Sequence, residues 1–246
     1  MVFKKNLRME DIFKVESNMN EPDISKRMSF DMRPVLKNPE KAKSNYPLYT
    51  VYRNLYIIDG KIRYDVTLIP SSEIGGEFAK TFGHYHMEKF PEIYEVLTGH
   101  AYFLMQRYEK DPGEITEAYA IEALAGEKTV MLPEFGHWSI NAGKGPLTLA
   151  NWIGLVPYDY KLIEKYKGGC YYVLNNDNSI EFEKNPNYKY VPEIIKLRPK
   201  QDIPELGIEK SVPIAELKKT PKKLDWLINP EKYQELLTIK NLYREI

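Results

Sequence analysis

The segment TFGHYHMEKFPEIYEVLTG, residues 81–99, carries two histidines separated by one residue and a glutamate soon after them. Side chains on a strand alternate between faces, so His84 and His86 share one side and Tyr85 takes the other. Two imidazoles so placed can reach a single ion. After a break at Met87–Pro91, EIYEV resumes as a strand and returns Glu92 to the same face. His137 follows in LPEFGHWSIN, beside Pro133 and Gly136. Three histidines and a glutamate from neighbouring strands fill four positions around one divalent cation and leave one or two open. Open positions mark a catalytic rather than a structural metal. His100, after Gly99, is the chain's other histidine and reads as an ordinary exposed or hydrogen-bonded side chain.

Short strands must position these ligands. From Leu48 the chain reads LYTVYRNLYIIDGKIRYDVTLIP, rich in Tyr, Val, Ile and Thr, with Asp59-Gly60 between two apolar runs. Asp-Gly there predicts a hairpin, because both residues tolerate the positive φ of a type I′ turn. Further breaks fall at Thr98-Gly99, Ala125-Gly126 and Asn141–Gly145, and a last hairpin turns at Asn175–Asn178. Strands at such regular intervals predict an all-β sandwich or barrel, and the helices of βαβ units are missing from this stretch.

Three regions follow: an N-terminal arm over 1–48, the barrel over 49–192 and a helical extension over 193–246. Prolines 22, 34, 39 and 47 interrupt the arm, which keeps one short helix near Met9–Val15. In the extension, Asn229 is read as the N-cap and Pro230 as the first residue of a helix whose apolar face holds Tyr233, Leu236, Leu237 and Ile239.

Among 246 residues, Lys+Arg and Asp+Glu balance at 35 each, which removes the electrostatic case for nucleic acid. Neither a signal peptide nor a membrane-spanning run is evident, so no membrane partner is expected. The single cysteine, Cys170, reads as a packing residue, and the whole fits a reducing cytoplasm.

His84-x-His86, five residues, Glu92, six residues, then Gly99 resembles the first cupin motif. Pro133, His137 and Asn141 resemble the second. The implied fold is a cupin barrel, a double-stranded β-helix or jelly roll. The Gly expected ahead of the first His is not at its usual place, although Gly75 and Gly76 lie nearby, and Phe135 stands where the second motif often has Gly.

Within the cupins, VTLIPSSEIGGEFAKTFGHYH, PEIYEVLTG and LPEFGHWSIN are most similar to the cupin-type phosphoglucose isomerases, over roughly residues 28 to 185. The resemblance implies interconversion of glucose 6-phosphate and fructose 6-phosphate in glycolysis and gluconeogenesis. It also implies a homodimer and one divalent ion: iron, with manganese, nickel or zinc as alternatives. It places Thr67, Thr81 and Gly83 on the substrate phosphate, and Tyr94 and Tyr160 as candidates to orient the sugar hydroxyls. Residues alone would read these threonines as strand formers. Where the family carries a His-Asp-Tyr run, this chain has Tyr158-Asp159-Tyr160.

Two hydrogen-transfer routes stay open. A carboxylate, best Glu92, shuttles a proton through an enediol, or a hydride shifts while Glu92 serves mainly as ligand. The rival functions are a cupin dioxygenase, a sugar-phosphate-binding protein without turnover and another sugar isomerase.

Overall fold

The structure, a computed structural model, describes residues 19–177 and 179–246. The helix expected near Met9–Val15 lies outside the described residues. From the N-terminal side, β1 (Asp23–Met28) leads to β2 (Pro47–Ile58) and β3 (Ile62–Ile69). Two short strands, β4 (Glu73–Ile74) and β5 (Glu77–Phe78), precede β6 (Tyr85–His86). β7 (Glu92–Thr98), β8 (His100–Tyr108), β9 (Ile115–Leu124), β10 (Lys128–Met131), β11 (Gly136–Asn141) and β12 (Leu147–Gly154) follow. Then come β13 (Tyr158–Asp159), β14 (Tyr171–Asn176) and β15 (Ser179–Lys184). Last are β16 (Ile195–Pro199), β17 (Asp202–Ile203), β18 (Ile208–Glu209) and β19 (Tyr243–Glu245).

Two sheets carry the fold, with strand orders β1-β2-β3-β12-β7-β10 and β11-β8-β9-β16-β19. From β7 to β12 the chain passes between the sheets at Gly99, after Leu124, and on both sides of β11. Such crossing makes a jelly-roll barrel, the all-β cupin architecture. Asp59-Gly60 does close the β2–β3 hairpin, with φ of 50° and 64°. The turns at Gly99, Gly126 and Asn141–Gly145 instead join strands of different sheets.

The interior is built by alternation. Phe103 and Met105 on β8, Ile121 on β9 and Trp138 on β11 are essentially fully buried. Cys170 is buried too, and burial pushes its thiol pKa up, as expected of a packing residue. Among the described residues, no helix is long and apolar enough to cross a membrane.

The helix expected from Asn229 and Pro230 is corrected. Pro230–Tyr233 is a single 3-10 turn, and the Asn229 side chain does not cap it but bonds Asp225 Oδ1 at 2.8 Å. Three further 3-10 segments, Pro204–Leu206, Ile214–Lys219 and Pro221–Leu227, precede it, and the only α-helical turn of the extension is Ile239–Leu242. Prolines 213, 221 and 230 recur too closely for a long i→i−4 ladder to form. This segment covers the six-stranded sheet: Trp152 Nε1 donates to Ile214 O at 2.7 Å, and Ile214 N donates to Glu95 Oε2 at 2.7 Å. β16 and β19 from the same region extend the five-stranded sheet.

Candidate metal centre

β6 and β11 set the first contacts. His84 and His137 face each other in a β-bridge, each backbone N–H donating to the other's carbonyl, and their ring centroids lie 4.5 Å apart. Alternation brings His86 to the His84 face and sends Tyr85 away, where its hydroxyl accepts from Gln106. Glu92 opens β7, with Oε2 lying 3.2 Å from His137 Nε2 and 3.4 Å from His86 Nε2. All four ligand atoms lie within 4.8 Å of one another.

His86 Nδ1 lies 2.6 Å from the Phe90 carbonyl, an acceptor only, so Nδ1 carries the proton and Nε2 keeps its lone pair. His84 Nε2, His86 Nε2, His137 Nε2 and Glu92 Oε2 are buried without hydrogen-bond partners. Buried polar atoms are normally satisfied. Lone pairs turned toward one point repel unless a cation stands there, so this donor set fits one divalent ion. Asn151 Nδ2 donates to Glu92 Oε1 at 2.7 Å, an outer contact that orients the ligand.

The electrostatics agree. Burial, then the charges of His137 and His86, holds His84 well below the usual imidazole range. Burial also lowers His137. For Glu92 burial acts upward, but the neighbouring imidazoles of His137 and His86 outweigh it and hold the carboxylate below its usual range. Unfolded histidine takes up a proton near pH 6.5 and folded His84 does so only lower. The unfolded state therefore binds more protons below 6.5, and stability falls with pH in that window. Chelator-treated protein is expected to lose Tm between about pH 7 and 5.5. A flat profile there contradicts a buried neutral histidine cluster.

Thr67, Thr81 and Gly83 line the cavity that reaches the metal ligands, as do Tyr94 and Tyr160. Ser139 N donates to Thr81 Oγ1 at 3.0 Å, which leaves the hydroxyl proton for another acceptor. Burial, then the neighbouring Glu92 carboxylate, pushes the Tyr94 hydroxyl well above its ordinary pKa. The Tyr160 ring lies 6.1 Å from that of His84 and edge-on to Phe82 at 5.6 Å. His100 lies outside the cluster, bonded to Glu122 at 2.8 Å.

Sequence reasoning missed Arg53, Asp65 and Asn151 in the cavity wall and Arg63 behind it. A signal existed. Arg63, Asp65 and Thr67 occupy alternate positions of β3 and share a face, and Asp65 interrupts an apolar run. Asp65 is almost wholly buried, and burial, although Arg63 opposes it, raises its pKa.

A family model described as "Glucose-6-phosphate isomerase (GPI)" matches residues 26–192. No curated protein sequence matches the chain. Among solved structures, an oxalate oxidase in complex with the substrate analogue glycolate is 19% identical, with a TM-score of 0.30 over 37% of this chain and 40% of that one. The oxalate decarboxylase formate complex from Lactobacillus farciminis is 18% identical, with a TM-score of 0.36 over 47% of this chain and 31% of that one. CapF with the inhibitor 3-isopropenyl-tropolone is 13% identical, with a TM-score of 0.34 over 42% and 27%. The match spans less than half the length of each of these proteins.

Proposed function

The chain belongs to the glucose-6-phosphate isomerase family, whose model takes in residues 26–192 of its 246, and from that premise we propose that it interconverts glucose 6-phosphate and fructose 6-phosphate. One divalent ion, iron in the first instance, is held by His84, His86, Glu92 and His137. The observation that carries the reading is a single cavity lined by Thr67, Thr81 and Gly83 together with two of these ligands, His84 and Glu92. The same proposal takes the protein to be a cytoplasmic homodimer in the hexose-phosphate steps of glycolysis and gluconeogenesis.

A divalent ion held there would supply Lewis acidity to the reacting end of the sugar. The chain's residues do the rest. Thr67 and Thr81 donate hydroxyl protons to the phosphate, and the Gly83 N–H adds a third donor. Tyr94, kept protonated by burial and the Glu92 carboxylate, presents its hydroxyl oxygen as an acceptor toward the sugar. Glu92 is held on Oε1 by Asn151, and its Oε2 is turned to the same point as the imidazoles of His86 and His137. A carboxylate so placed serves as a ligand, and hydrogen passes with its electron pair between C1 and C2 within the substrate while a proton moves between the oxygens on those carbons. Turnover in deuterated water tests this: product without deuterium at C1 or C2 is expected, and full incorporation contradicts it.

The function itself is tested by mixing metal-loaded protein with fructose 6-phosphate and following glucose 6-phosphate. Thr67→Val with Thr81→Val is expected to raise KM by about 10–100-fold, at roughly 1 kcal/mol for each lost bond. A rise in Tm with fructose 6-phosphate but no product makes the protein a binding module instead. Oxygen uptake in place of product makes it a dioxygenase.

A further inference from the structure

Tyr158 is joined to a buried ionic pair that the isomerase reading does not use. It opens β13, whose register opposite β6 pairs it with His86. Its ring lies over His84 with centroids 3.8 Å apart and planes inclined by 31°. The phenol thus closes the cavity beside the metal ligands.

Its hydroxyl is fixed from behind. Arg63 Nη2 donates to the Tyr158 oxygen at 2.5 Å, and Arg63 Nε donates to Asp65 Oδ2 at 2.9 Å. Asp65 Oδ1 accepts from Asn54 N at 2.9 Å, and Arg53 stands 3.5 Å from Oδ2. A planar guanidinium held along two edges cannot rotate without losing a bond. The side chains of Arg63 and Asp65 are only 12% and 2% exposed. A buried ion pair of this kind is commonly no more stabilising than apolar packing, so stability alone gives no reason for it.

A tyrosine hydroxyl accepts and also donates one proton. Here it accepts from Arg63, and among the described residues no hydrogen bond takes up its own proton. The orientation leaves that proton for the cavity.

We infer that Tyr158 donates a hydrogen bond to the substrate oxygen lying next to the metal ligands, on C1 or C2, with Arg63 and Asp65 as positioning residues. This rests on the sugar-phosphate reading and deepens it. Where the family pattern has a histidine, the chain keeps a donor by other means, a phenol anchored to an arginine of β3.

The test uses the full chain loaded with its ion and the variants Tyr158→Phe, Arg63→Met and Arg63→Lys. Phe keeps the ring over His84, so metal content is expected to stay unchanged. For Tyr158→Phe, kcat is expected to fall by roughly 10–1,000-fold while KM stays within about threefold, as for loss of one preorganised donor. Arg63→Met moves the same way, and Arg63→Lys restores part of the loss.

Calorimetry supplies a second readout, with a phosphorylated sugar acid, whose carboxylate imitates the reacting oxygens, and a phosphorylated polyol, which has neither carbonyl nor carboxylate. Tyr158→Phe is expected to weaken the acid by about tenfold and to leave the polyol unchanged. Unchanged kcat and acid affinity overturn the inference, as does equal weakening of both ligands, which is a packing effect. If the wild-type chain turns over nothing, the isomerase reading fails, and the difference between the two ligands still decides the role of Tyr158.

Discussion

Glu92→Gln lowers the affinity of the chain for its ion by at least about 100-fold, more than outer-sphere changes commonly cost. Turnover at limiting metal falls by a comparable factor. The shape of the side chain is preserved, so the effect is electronic. Asn151 Nδ2 donates to Glu92 Oε1 at 2.7 Å, so the amide oxygen of Gln takes that place. Its NH₂ group is then forced toward His86 and His137, where Oε2 now lies 3.4 and 3.2 Å from their Nε2 atoms. Two protons stand where a lone pair faced the ion. Metal content after gel filtration, with kinetics at rising metal concentration, measures this. Turnover is expected to return partly as metal is added. Stoichiometric metal with turnover gone would instead make Glu92 the base.

Gly83→Ala produces the largest loss of stability among the changes considered. Its φ is +81°, in the left-handed region, and a Cβ there would lie 1.8 Å from Trp138 Nε1. Trp138 is 1% exposed and donates to Phe82 O at 3.0 Å, so neither group can withdraw easily. The left-handed backbone costs an alanine about 1–2 kcal/mol and overpacking about 1–3 kcal/mol. Together these lower Tm by roughly 4–20 °C for a domain of this size. Gly126→Ala is the control, because its φ is +87° but a Cβ would meet nothing within 4 Å. It carries the backbone cost alone, so equal Tm shifts in the two variants would contradict the Trp138 contact. Since His84 follows Gly83, the variant also weakens metal binding.

The metal cluster was legible because its signal is local. Two histidines at strand alternation, a glutamate after a short break and a histidine beside a Pro/Gly turn require only the rule of alternating faces. The strand-rich barrel was legible for the same reason. Arg63 and Asp65 carried only a weak sign, their alternation with Thr67, because a charge in a strand ordinarily marks the solvent face. Only the pairing of β3 with β12 turns that face toward Glu92 and Asn151. The extension misled through its helical periodicity. Tyr233, Leu236, Leu237 and Ile239 do pack on the core, half-buried, but from a 3-10 turn, irregular chain and one short α-helical turn after Pro230 rather than from one helix face. Tyr158 stood out only as a departure from a family pattern, and its link to Arg63 joins residues 95 positions apart.

The central claim is that one ion, held by His84, His86, Glu92 and His137, carries the isomerisation. It is tested most directly by adding ferrous iron stepwise to chelator-stripped protein and measuring conversion of fructose 6-phosphate at each step. Turnover is expected to rise in proportion and to level off at one equivalent per chain, with the His137→Ala chain silent throughout. Turnover that ignores added metal, or that persists in His137→Ala, would contradict the account.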